Sequence, residues 1–139
     1  MLAVPKKKAK KKKPSMKQLR KRLDRIWYEQ IYERDKGKCQ CCERTTTLAP
    51  HHIFGKKAYP AGRWNKDNGV LLCFAHHFHY AHGKPEEFRR WVIPWLCKRT
   101  NTPVSQAEEM YDWLFVQVQE RQQFRSCDFE SKKKELEEK

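Results

Sequence analysis

Metal-binding side chains crowd one stretch of this chain. All six histidines and four of the six cysteines lie between residues 38 and 83. In order they read Cys39-x-x-Cys42, His51–His52, Cys73-x-x-His76, His77, His79 and His82. A Cys-x-x-Cys turn brings two thiolates to one ion, and a second pair with the same two-residue gap completes a tetrahedron. Cys39, Cys42, Cys73 and His76 therefore read as a closed structural zinc site, with Cys41 able to replace Cys42. Such a staple suits a chain of 139 residues that is only 38% apolar, because zinc binding adds folding free energy to a thin core. Cys97 and Cys127 fall in helical patterns and read as small packed residues.

The remaining histidines call for another role. Neighbouring side chains on a helix point about 100° apart, so His77 faces elsewhere when His76 faces zinc. On a strand successive side chains alternate faces, which separates His51 from His52. One of that pair can hold a metal with His77 while the other acts on substrate. Phosphodiester hydrolysis needs both parts: a base of near-neutral pKa to take a proton from water, and a cation where charge grows on the departing oxygen.

His51–His52–Ile53, Asn68 through Cys73 and His76–His77 together resemble the HNH (His-Asn-His) endonuclease motif. In particular they resemble the variety with two flanking zinc-knuckle pairs, common in small bacteriophage-encoded nucleases. The likeness runs from Lys38 to Gly83, and His76 departs from it where a fourth cysteine is usual. The resemblance implies an α+β fold built on a ββα-metal finger, a hairpin ending near His51–His52 followed by a helix bearing His77. It also implies His52 as general base, Asn68 as a residue that orients that base or approaches the metal, and His51 and His77 as ligands of a catalytic divalent metal. His82 is either a third ligand, a phosphate contact or an exposed residue, because on an ideal helix it sits about 140° from His77. Mg²⁺, Mn²⁺, Ni²⁺, Co²⁺ and Zn²⁺ are all candidate ions. The expected function is a metal-dependent DNA endonuclease or nickase leaving 5′-phosphate and 3′-hydroxyl ends. The alternative is a non-catalytic, zinc-stabilised nucleic-acid-binding protein.

Positioning these residues falls to the segments around them. Leu19, Leu23, Ile26, Trp27 and Ile31 recur at helical spacing, with Ser15 as N-cap and Gly37 as stop, predicting a helix over 15–36. Short apolar runs at 47–49 and 70–72 read as small strands or strand–helix joints. Pro85-Glu86-Glu87 opens a helix over 85–98 that Pro94 should kink or end early. A further helix over 103–125 has Ser105 and Glu108 spaced as a capping box, and Met110, Trp113, Leu114 and Val118 as its inward face. Residues 15–130 thus form one domain, and 131–139 reads as a charged, frayed tail. The loop Gly55–Trp64 is basic and aromatic. Arg63 is its expected phosphate clamp, Lys56 and Lys57 are further DNA contacts, and Trp64 is packing beneath the finger.

Charge points to the partner. The chain carries +14 at neutral pH, and residues 1–38 hold 15 Lys and Arg against four Asp and Glu. The run Pro5–Pro14 has seven lysines and no acid, so it should be disordered alone. It reads as a phosphate-neutralising arm, a solubilising tail or a nuclear-import signal. DNA with little sequence preference is the expected partner, and the HNH resemblance adds phage packaging or recombination proteins. No stretch is apolar enough for a membrane span and no secretory signal is visible, so a cytoplasmic location is expected, the host's if the protein is phage-encoded.

Overall fold

The computed structural model describes residues 2–119 and 128–138. Helix α1 (Met16–Arg34) starts where Ser15 accepts from the Gln18 amide and Gln18 returns the bond, a complete capping box. It ends as Gly37 takes a positive φ of 62° and donates to Tyr32. Two five-residue strands, β1 (Leu48–His52) and β2 (Gly69–Cys73), pair antiparallel. A π-helix (His76–Ala81) follows, then α2 (Pro85–Thr100), α3 (Ala107–Gln119) and α4 (Phe129–Glu137). The molecule is thus a set of helices around a small two-stranded sheet. No helix among the described residues is long and apolar enough to cross a membrane.

Strand β2 is buried along its whole length and supplies two cores. Leu71 points into a cluster with Leu19, Leu23, Trp27 and Ile31 of α1, Trp64, and Phe129 and Leu136 of α4. Val70 and Leu72 point the other way, onto Phe88, Val92 and Ile93 of α2. A third cluster joins Phe54 to Leu96, Leu114 and Val118. Asp35, itself buried, ties α1 to the sheet: its carboxylate accepts from the Leu71 amide and from the Arg34 guanidinium. The same Arg34 donates to the carbonyls of Lys66 and Gly69, each at 2.6 Å.

Several sequence expectations need correction. Residues 129–137 form a helix, because Phe129 and Leu136 are seven residues apart on one face and both bury against α1. Pro94 does not end its helix. It is exposed, so the carbonyl it leaves unpaired is open to water, and α2 runs on to Thr100 with Asn101 as a left-handed cap. The capping box at Ser105 does not form, since Val104–Gln106 makes a 3₁₀ turn before α3 begins. Trp113 is 43% exposed, while Leu114 and Val118 carry the buried face. Residues 120–125 of the expected helix, and Cys127, lie outside the described residues. Residues 2–14 have no regular structure and are exposed.

Candidate functional site

Two groups of metal-ligating side chains come together at the end of the sheet. In the first, Cys39, Cys42, Cys73 and His76 place one ligand atom each within 4.8 Å of all the others. The Cys42 and Cys73 sulfurs are 3.7 Å apart, and His76 Nδ1 lies 3.6 Å from Cys39 Sγ and 3.2 Å from Cys73 Sγ. Sulfurs bound tetrahedrally at about 2.3 Å sit about 3.8 Å apart, and a sulfur–nitrogen pair about 3.6 Å. The group thus has the size and the chemistry of a zinc cage. Burial raises the Cys73 thiol, but hydrogen bonds from the backbone and ring of His76, and from Cys42 and Cys39, outweigh it and bring the pKa down to about 6. Cys41 is excluded from the group and packs against the apolar cluster instead, its pKa pushed up to about 12 by burial and by the neighbouring sulfurs.

The second group is His51, His77 and His82, whose nitrogens also lie within 4.8 Å of one another. Its formation depends on the π-helix. Bonding from residue i to i+5, seen here as the His82 amide donating to the His77 carbonyl at 3.1 Å, widens the turn so that residues five apart come into line. His82, which an ideal α-helix would carry far from His77, instead puts Nε2 at 3.2 Å from His77 Nε2. Nitrogens bound tetrahedrally at 2.0–2.1 Å sit about 3.3 Å apart, so the pair fits a shared cation. Burial, then the charges of His77, His82 and His52, hold His51 at a pKa of about 3; burial and His82 also lower His77. His51 and His77 are therefore neutral at pH 7, as ligands must be.

His52 stands on the opposite face of β1, as strand alternation requires. Its ring lies flat on Trp27 of α1, with centroids 4.2 Å apart and planes 7° from parallel. Gly69, its partner in the sheet, permits this contact: a Cβ there would come within 2.6 Å of the Trp27 ring. His52 Nε2 is 2.9 Å from the Arg63 carbonyl oxygen. A carbonyl can only accept, so Nε2 carries the hydrogen and Nδ1 keeps the lone pair of the neutral ring. Burial lowers the pKa of His52, which favours that form.

Asn68 is completely buried, and its side chain bonds to backbone groups of the loop rather than to His52. It accepts from the Phe54 amide and donates to the carbonyls of Phe54 and Gly62, clamping both ends of the loop between the strands. That loop carries Arg63, whose carbonyl holds His52. Arg63 is not the free phosphate clamp expected of it, because its guanidinium grips the Asp24 carboxylate at 2.8 and 2.6 Å. Asp24 also accepts from Trp64 Nε1, and Trp64 is buried as packing. Burial opposes ionisation of Asp24, but the Arg63 and Trp64 hydrogen bonds and the Arg63 charge hold its pKa below the usual value. Lys56, Lys57 and His79 are exposed.

Sequence reasoning missed Asp24 and the second role of Trp27. Trp27 is legible only as part of an apolar stripe, and Asp24 finds Arg63 39 residues further on. Compared with protein-family models, with curated proteins and with solved structures, the chain matches none.

Proposed function

We propose that this protein is a metal-dependent endonuclease or nickase of HNH type acting on DNA, with β1, β2 and the π-helix serving as a ββα-metal finger. One observation carries the reading. A neutral histidine locked in the tautomer of a base, His52, sits next along the strand from a histidine that converges with two others on one point. A proton on His52 would disfavour one on His51 and on His77, so the base and the cluster lie within electrostatic reach of each other.

In this reading His52 Nδ1 takes a proton from water. The oxygen of that water bonds to phosphorus as the bond to the 3′ oxygen breaks, and that oxygen takes a proton from solvent, leaving 5′-phosphate and 3′-hydroxyl ends. Trp27 and the Arg63 carbonyl keep the ring oriented while it is protonated. Asn68 acts as a positioning residue, through the loop backbone. His51, His77 and His82 would hold a divalent metal, which supplies a Lewis acid for the leaving oxygen. Three imidazoles and no carboxylate suit Mn²⁺, Co²⁺, Ni²⁺ or Zn²⁺ better than Mg²⁺. The Cys39, Cys42, Cys73 and His76 group would hold zinc and brace the fold.

A plasmid-nicking assay tests the proposal. The wild type is expected to nick with Mn²⁺, and His52→Ala to lose about 10²–10⁴-fold in rate while still binding DNA. Normal nicking by that variant removes His52 from the role of base. A wild type that binds but cuts with none of these ions supports the non-catalytic, zinc-stabilised binding protein instead.

A further inference from the structure

Phe74 and Phe78 take no part in any core. Their side chains are 57% and 52% exposed, and the two rings lie 4.7 Å apart between centroids. The pair adjoins the three-histidine cluster through Phe78, whose ring is 5.1 Å from His77 and 6.2 Å from His82. The exposed ring of His79 lies 6.1 Å from Phe74. Residues 68–85, which carry all of these groups, include no Asp or Glu. Single exposed apolar residues are ordinary, but a paired aromatic surface beside a candidate reaction centre marks a contact.

We infer that Phe74 and Phe78 form a stacking platform for an unpaired base next to the scissile phosphate, so that the substrate is a single-stranded or locally splayed nucleic acid rather than continuous duplex. The inference rests on the endonuclease reading and names the substrate class of that site. Every base offers a π-face to an aromatic ring, but in a duplex both faces are covered by neighbouring bases. A base can reach these rings only after leaving its stack, which costs least where the strand is already unpaired. The separation of 5.1–6.2 Å between Phe78 and the cluster imidazoles is short enough for one nucleotide to lay its base on the ring while its own phosphate meets the cluster. No carboxylate on this segment repels that phosphate, and the excess of Lys and Arg over residues 1–38 adds a longer-range attraction for the strand.

The test uses one 2-aminopurine-labelled oligonucleotide, single-stranded and annealed to its complement, with the full-length protein and Mn²⁺. Binding is read by fluorescence in a His52→Ala background, where the strand stays intact, and cleavage with active protein. The wild type should bind and cut the single strand in preference to the duplex. The double variant Phe74→Ala, Phe78→Ala should weaken single-strand binding at least about fivefold and shrink the preference for single strand toward one. Phe78→Trp should keep it. Circular dichroism and zinc content should match the wild type in both variants, since the rings are exposed. Unchanged single-strand affinity in the double variant overturns the platform and leaves the rings for another contact, such as a protein partner. Quenching of 2-aminopurine without cleavage by the wild type overturns the endonuclease reading instead, and leaves the platform standing as a binding surface.

Discussion

His52 is constrained from three sides, by an indole beneath it, a carbonyl at Nε2 and the strand that carries it. Asp24 sets one of these constraints from a distance, by gripping the residue whose carbonyl His52 addresses. Its negative charge also raises the pKa of His52. Asp24→Asn should therefore do two things in the nicking assay. It should lower kcat about tenfold with little change in KM, and it should move the acidic limb of the rate profile to lower pH, because the neutral base persists further into acid. A purely architectural role for Asp24 would leave that limb in place. His51 gives the second prediction at this scale. Its folded pKa of about 3 lies below the ordinary value of 6.5, so between those limits the unfolded chain binds more protons than the folded one. Stability of the metal-free protein should then be full above pH 6.5 and decline steadily as pH drops toward 3. Urea titrations across that range measure it, and a His51→Phe variant should flatten the slope.

The elements divide their work between bracing and aiming. The knuckle at Cys39–Cys42 meets the end of β2 and the start of the π-helix, so its closure fixes where His77 begins. Cys39→Ser should lower zinc content and thermal stability together, and zinc stoichiometry by mass spectrometry beside a melting curve checks both. Much of this arrangement was readable in advance. Ser15, the spacing of Leu19, Leu23, Trp27 and Ile31, and Gly37 marked α1 almost to the residue, because capping and periodicity are local. The two short strands and the Cys39, Cys42, Cys73 and His76 group followed from apolar runs and spacing, whereas the hairpin and the choice of His51 to stand with His77 came from the likeness to the HNH motif. The π-helix was not readable, since no residue in 76–81 announces a widened turn, and with it the position of His82 stayed open. Helix α4 was hidden by its charged composition, and its two anchors, Phe129 and Leu136, meet α1 more than 100 residues earlier in the chain. Arg63 was misread for a related reason. A basic residue in a loop looks free until its acidic partner on another element is seen.

Across the whole molecule, charge is separated from chemistry. The seven lysines of Pro5–Pro14 stand outside the packed elements, while the segment from 68 to 85 presents histidines and aromatic rings without acids. Deleting residues 1–14 should reduce the slope of log affinity against log salt while leaving the Mn²⁺ requirement for nicking intact. Fluorescence anisotropy at several salt concentrations measures the slope. The two ligand groups are not separated in this way, because His76 belongs to one and His77 to the other. A single peptide unit, about 3.8 Å between α-carbons, therefore yokes the brace to the blade. Neither group can be disturbed privately: if the thiolates hold zinc and the protein nicks DNA as proposed, removing that zinc would swing the neighbouring imidazole out of aim, so a zinc chelator should blunt cutting well before the helices melt.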